Sequence, residues 1–236
     1  MARYGKQHKQ ATRQRIIDAA GGRLKRDGIH GSGIATLMAD AGMTNGAFYA
    51  HFESKEDLVA TAVAEQLREQ RESFSAQPPG RAGLEQIVRA YLSVEHRDNP
   101  EGGCPSAALL DEIGRSPHAT KRAYTDGLLL VIDDIAARLA SDDPHWARMK
   151  TLSVFALMVG TLQVSRALAN RQLADEVLEQ GIQNALALLG PGHPSIRKAL
   201  MPRAIDLRLD AIRLANVGAS RSCPEDARTR AAMIDR

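Results

Sequence analysis

Apolar residues in this chain recur at three- and four-residue intervals and almost nowhere alternate one by one, so the pattern predicts helices and no sheet. Ile16, Ile17, Ala20 and Leu24 form the first such stripe, and Gly28 stands where a helix of that phase would close. Ser32 is placed to cap a short second helix carried by Ile34, Leu37, Met38 and Ala41 and stopped at Gly42. Thr44 is placed to cap a third, barely two turns long, that holds Ala47, Phe48 and residues 50–52. Ser54 is placed to cap a fourth that runs towards Phe74. Its first turn carries Glu56 and Asp57, acids suited to the positive end of the helix dipole.

Further along, the same spacing predicts helices over residues 84–96, 104–114, 120–139, 144–170 and 174–189. Between them lie turn-rich stretches, "RDNPEGG", "RSPH" and "SDDP", and the loop "SAQPPGRAG" is expected to separate a small head from a larger body. Residues 152–168 are apolar around most of the helix circumference, which marks a segment buried on several sides. Val177, Ile182, Leu186 and Leu189 give the following helix a strong stripe. The expected fold is all-α. It has a helix-turn-helix head over residues 1–58, a helical body over 59–190 and a C-terminal extension over 191–236. In the extension, Ile205, Leu209, Ile212 and Asn216 share one side of a possible helix, and the sequence beyond Gly218 is polar enough to predict disorder.

Two short helices joined by a glycine-containing turn, with a third before them, make a helix-turn-helix, whose second helix enters the DNA major groove. The stretch "TNGAFYAHFESKEDL" fits that role, although only 4% of the chain is aromatic. Phe48 and Phe52, four apart, face inward with Leu37 and Ile17. Thr44, Asn45, Gly46 and Ala47 then stand at the exposed leading end. Asn45 suits an adenine edge, the Ala47 methyl suits a thymine methyl, and Gly46 permits close backbone approach. Tyr49, His51 and Lys55 suit phosphates, and Ser32 completes the expected DNA-facing set.

The string Gly42, Thr44, Gly46, Phe48, Tyr49, His51, Phe52, Ser54, Lys55 and Leu58 resembles the recognition helix and following turn of TetR-family (tetracycline-repressor-like) regulators. "RIIDAA", Gly28, Ser32 and "DAGMT" upstream are similar too. The resemblance covers about the first quarter of the chain. It implies a homodimer with a DNA-binding head on each subunit, a ligand-binding body, and pairing of the last two long helices with their symmetry mates. Gly21, Gly22 and Arg23 depart from the family pattern, which is apolar there. Each mid-helix glycine costs about 1 kcal/mol relative to alanine, so the first helix is expected to be weak. The recognition segment has no Lys or Arg, which leaves affinity to the N-terminal arm, Lys55 and dimerisation.

Charge changes the picture at the ends. Up to His30 eight basic residues face only Asp18 and Asp27, whereas residues 31–190 carry an acidic excess, so a basic arm suited to phosphates precedes an acidic body. The apolar run 152–164 is interrupted by Ser153, Thr161 and Gln163 and is too short for a bilayer, which takes roughly 20 residues. No apolar run follows the N-terminal basic residues as in a secretory signal, so a cytoplasmic protein is expected. Two cysteines, Cys104 and Cys223, exclude a disulfide framework and a four-cysteine zinc site. No cofactor or metal is expected. Asp111 and Glu112 adjoin but point different ways on a helix, and no nucleophile–base spacing occurs, so an enzyme is not expected.

Pockets in helical bundles are apolar with a few polar groups. The candidates for an effector site are Tyr91, His96, His118, Tyr124, Trp146, Phe155 and Met158. In "GGCP", Cys104 stands just before a helix whose first position is Pro105, where the positive helix end lowers a thiol pKa. That makes Cys104 a candidate redox or electrophile sensor, a use that the family resemblance implies for some relatives. The functional expectation is a ligand-responsive repressor binding a double-stranded operator as a homodimer. A Cys104-based sensor or an activator is the alternative.

Overall fold

Helix α1 runs unbroken over Ala2–Asp27, straight through the glycine pair that was expected to weaken it. The computed structural model describes residues 2–139 and 141–190, with side chains from Gln7 onward. The expected tail helix, the polar stretch beyond Gly218 and Cys223 lie outside these residues. Tertiary packing explains the survival of α1. Gly21 is buried, and a Cβ there would run into the Gln66 side-chain amide. A Cβ on Gly22 would come within 3.0 Å of Glu101. The missing side chains let neighbouring elements close in, which offsets the low helix propensity. Arg23 turns outward instead, its Nε and Nη2 both on the Asp40 carboxylate.

Short elements follow: α2 over Ile34–Asp40, then a 3-10 helix over Asn45–Ala50. The expected third α-helix is thus a tighter coil. Ser32 is not the cap of α2; Gly33 holds that position, and the Ser32 hydroxyl donates to the Gly28 carbonyl at 2.7 Å. Helix α3 then spans Lys55–Ser75, with Ser54 accepting the Asp57 N–H as the sequence predicts.

The body consists of α4 (Gly80–Tyr91), α5 (Val94–Asp98), α6 (Pro105–Arg115), α7 (His118–Ala136, extended by a 3-10 turn over Ala137–Leu139), α8 (Pro144–Ala167) and α9 (Arg171–Leu189). Among the described residues there is no strand, and the fold is all-α with an N-terminal helix-turn-helix. The single helix expected over 84–96 is two, because Leu92 leaves the helical conformation and Ser93 starts α5 by accepting the His96 N–H at 3.1 Å.

Two cores organise these elements. Ile16, Leu24, Leu37, Met38, Phe48, Phe52, Leu58 and Val63 form the first, completed by Leu109 and Ile113 from α6. Leu84, Ile87, Tyr91, Ile132, Phe155, Met158, Leu162 and Leu178 belong to the second. Each such side chain contributes about 1.5–3 kcal/mol when fully buried. Helix α3 serves both: Leu58 to Leu67 fill the first core and Phe74 packs on the second. The head–body boundary expected at residue 58 therefore falls inside a continuous helix, and "SAQPPGRAG" joins α3 to α4 within the body.

Two arginines fasten α5 and α6 to the last helices. Arg97 is buried and bonds Asp98 and Asp175, so its charge is paired as burial requires. Arg166 on α8 donates to the carbonyls of His96, Arg97 and Ala107 at 2.7–3.0 Å. The His96 and Arg97 carbonyls lie at the C-terminal end of the short α5, where intrahelical donors are lacking.

Candidate nucleic-acid interface and cavity

The recognition segment is built from behind. Phe48 is fully buried and Phe52 nearly so, their ring centroids 5.7 Å apart, and both lock the 3-10 helix onto Leu37 and Ile17. In front, Thr44, Asn45 and Gly46 are exposed and Ala47 half-buried. Thr44 starts the 3-10 helix in an extended conformation, and its hydroxyl caps nothing. Gly42 turns the chain at φ +68°, a conformation in which glycine has no side-chain penalty, and a Cβ on Gly46 would meet nothing within 4 Å. Tyr49 is 72% exposed and stands edge-on to Phe48 at 5.1 Å, so a core ring props up an exposed phenol.

The basic arm is the first turns of α1, not a loose leader. Its cationic side faces the recognition segment. The half-buried His51 imidazole is held below its ordinary pKa first by burial and then by the charges of Lys9 and Arg13. Arg13 also lies over the Phe52 ring, 4.7 Å from its centroid. Lys55 is tied back, its Nζ donating to the Ile29 carbonyl at 2.6 Å. Ser32 is buried with its hydroxyl on Gly28, so it does not stand with the exposed set.

Residues 16–62 match the family model described as bacterial regulatory proteins, tetR family. The head belongs to the tetR family. Fifty-eight residues are 41% identical to the HTH-type transcriptional regulator AcrR of Shigella flexneri, and the match spans 25% of this chain and 27% of that relative. A likeness in fold extends to the body. The structure of Escherichia coli NemR in its reduced form covers 76% of this chain and 95% of its own at TM-score 0.63 and 19% identity. Bacillus subtilis FadR in complex with stearoyl-CoA covers 76% and 98% at TM-score 0.57 and 16% identity.

Behind the TetR head, a cavity of about 520 Å³ lies between α1, α3, α4, α5 and the loop before α6. It brings together Tyr91, His96 and Cys104 of the expected set. It adds Lys25, Gln66, Glu69, Gln70 and Ser73, which the sequence reading missed because nothing in a basic stretch shows which residue turns inward. The other candidates lie elsewhere. Phe155 and Met158 are core, lining a space of only about 10 Å³. Tyr124 shares a hydrogen bond of 3.0 Å with Ser106. His118 is exposed beside Arg122, and Trp146 is largely exposed beneath Lys150 Nζ.

The loop before α6 and α6 itself are tied to the head. Lys25 Nζ on α1 donates to the Gly103 carbonyl at 2.8 Å, Arg26 pairs with Glu101 at 3.1 Å, and the His30 N–H donates to Glu112 at 2.9 Å. His96 closes the loop from the other side. Its Nε2 accepts the Cys104 N–H at 3.0 Å, which requires a neutral ring with the proton on Nδ1, facing the Tyr91 carbonyl at 2.7 Å. Burial, then Arg166 and Lys25, hold this imidazole below its ordinary pKa, against the raising effect of the Tyr91 carbonyl. Cys104 is the N-cap of α6 and is buried, its thiol directed at Gln70 Oε1 at 3.3 Å. Asp111 pairs with Arg115, and Glu112 holds the His30 backbone.

Proposed function

We propose that this chain is a ligand-responsive repressor that binds operator DNA as a homodimer. The observation that carries this reading is the exposed Thr44–Gly46 edge and Tyr49 phenol, mounted on the buried Phe48 and Phe52 with the cationic side of α1 alongside. Small side chains meet base edges, while Tyr49, Lys9 and Arg13 take phosphates. The dimer is supported by α8. Met149, Ser153, Ala156, Gly160 and Val164 follow one another along its outer side, and Met149 and Val164 are about half exposed. A Cβ on Gly160 would meet nothing within 4 Å among the described residues, which supports that face as the seat of a second copy. Two heads then read half-sites about one helical turn apart, roughly 34 Å, or a multiple of it.

Occupation of the cavity is the release step. Lys25 attaches the head to the cavity wall at Gly103, and Arg26 and His30 attach it to the adjoining Glu101 and to Glu112 on α6, so a ligand that favours another position of that wall also favours another position of the head. Fatty acyl-CoA, named in the FadR complex, is not carried over, because this cavity is walled by Lys25, Gln66, Gln70 and Ser73. The chain acts by binding, not catalysis, in the cytoplasm where its operator lies.

A gel shift on the DNA flanking the gene, repeated across salt, tests the reading. Asn45→Ala relaxes sequence preference and Tyr49→Ala weakens binding to every sequence. Transcription from the flanking promoter with and without the protein separates repression from activation. A second reading rests on Cys104, whose thiol lines the cavity at the start of α6. In that case oxidants or electrophiles release the DNA, and unchanged release from Cys104→Ser would dispose of it.

A further inference from the structure

The cavity wall carries one hydroxyl without a hydrogen-bond partner among the described residues and one ammonium without an ion pair. Tyr91 is 3% exposed and its hydroxyl has no hydrogen-bond partner among the described residues; the neighbouring Cys104 thiol is directed at Gln70 instead. A buried hydroxyl left unpaired costs about 1–3 kcal/mol, and because this oxygen has almost no accessible surface, an acceptor in the cavity reaches it only with a shift of the surrounding side chains. Lys25 is half-buried and its one hydrogen bond goes to the neutral Gly103 carbonyl. None of the ion pairs among the described residues includes it, though Glu69 and Glu101 lie near enough to be felt. Desolvation penalises its charge, and an anion brought into the cavity would relieve that penalty.

A cationic ligand would have to rely on Glu95, which is exposed, and on Glu69, whose carboxyl is held above its ordinary pKa by partial burial and by the charges of Glu65 and Asp18. The donors in the wall are the buried Tyr91 hydroxyl, the half-buried Lys25 ammonium and the N–H groups of the buried Gln66 amide. Phe74, Ala90 and the Tyr91 ring supply apolar wall, so the occupant has a carbon body as well as a polar head. We propose that the cavity takes a small organic carboxylate whose oxygens accept from the Lys25 ammonium and the Tyr91 hydroxyl while its carbon body lies against Phe74 and Ala90. This assignment rests on the ligand-responsive reading above and names the chemistry of its effector.

The test uses the full chain and three acids matched with their primary amides: benzoate with benzamide, phenylacetate with phenylacetamide, and 3-phenylpropionate with 3-phenylpropionamide. Calorimetric titration is expected to show at least one acid binding tenfold or more tighter than its amide. Lys25→Gln, which can still donate to Gly103, brings that acid down to the level of its amide. Lys25→Arg keeps the preference, and Tyr91→Phe weakens the acid about fivefold. Acids that bind no better than amides, no binding by any acid, or a preference that survives Lys25→Gln would overturn the proposal. Should Lys25→Gln fail to fold, the acid–amide comparison on the unaltered chain and on Tyr91→Phe decides. Duplex binding without any probe is measured in parallel. Its persistence alongside failed acid binding removes only the carboxylate; its loss alongside acid preference removes only the repressor.

Discussion

Two glycine-bearing turns of this protein are built in opposite ways. Around the recognition segment, a Cβ added to Gly42 or Gly46 would meet nothing within 4 Å, and Thr44 and Asn45 are exposed with no side-chain hydrogen bond among the described residues. Around the loop before α6, a Cβ on Gly103 would lie 2.5 Å from His96 Nε2 and one on Gly102 2.8 Å from the Asn99 amide. That loop also gives its carbonyl at Gly103 to Lys25 and its N–H at Cys104 to His96. The first turn is left unfilled by the described residues; the second is filled by them and borders a cavity. Glycine thus has two meanings here, room for an external surface and room for internal neighbours, which the sequence writes with the same letter.

The comparison can be broken or sharpened experimentally. The largest effect belongs to the anchor behind the open turn. Phe48→Ala removes a fully buried ring and is expected to cost about 3–5 kcal/mol, read as a fall in the denaturation midpoint and loss of duplex binding together. Unchanged stability would mean that the rings do not fasten the segment. Next comes the closed turn: Gly103→Ala pushes a methyl against His96, expected to cost about 1–3 kcal/mol by chemical denaturation.

A smaller effect follows acid. His96 is neutral in the fold with its pKa below the ordinary value near 6.5, so the unfolded chain takes up the proton first. Its stabilising contribution is present above pH 6.5 and is lost as pH falls from there towards the folded value. His96→Gln is expected to flatten the stability–pH slope over that interval, and an unaltered slope would assign the acid sensitivity to other groups, His51 among them. The smallest stability effect is at the open turn. Gly46→Ala should change unfolding free energy by no more than about 0.5 kcal/mol, while duplex affinity falls because the methyl meets the DNA.

How far the sequence foretold this structure varies with the kind of interaction. Helix stripes and the inward turn of Phe48 and Phe52 were legible, because periodicity and aromatic spacing report burial directly. The Ser54 and Cys104 cap positions were legible too, from the residues beside them. Ser32 misled, since a good capping residue one position early is equally able to turn inward, here onto Gly28. The break at Leu92 was hidden because apolar residues continue through it to Val94. Gly21 and Gly22 read as weakness because their compensation comes from Gln66 and Glu101, far away in the chain. For the candidate interface, the exposed residues from Thr44 to Tyr49 were visible as a string. Of the cavity, only Tyr91, His96 and Cys104 were named, since Lys25, Gln66 and Gln70 come from helices whose facing is a tertiary fact.

The central claim is that the edge from Thr44 to Ala47 reads bases while the core holds it from behind. Its most direct test is competition binding of the full chain to the DNA flanking its gene against random duplex, comparing the unaltered protein with Asn45→Ala at equal stability. The account predicts a preference of at least about 10³ over random competitor. It also predicts that Asn45→Ala lowers that preference by about 5- to 150-fold, the equivalent of 1–3 kcal/mol, with little change in affinity for random DNA. No preference for any duplex drawn from a broad sequence pool, or a preference that Asn45→Ala leaves intact, would contradict it.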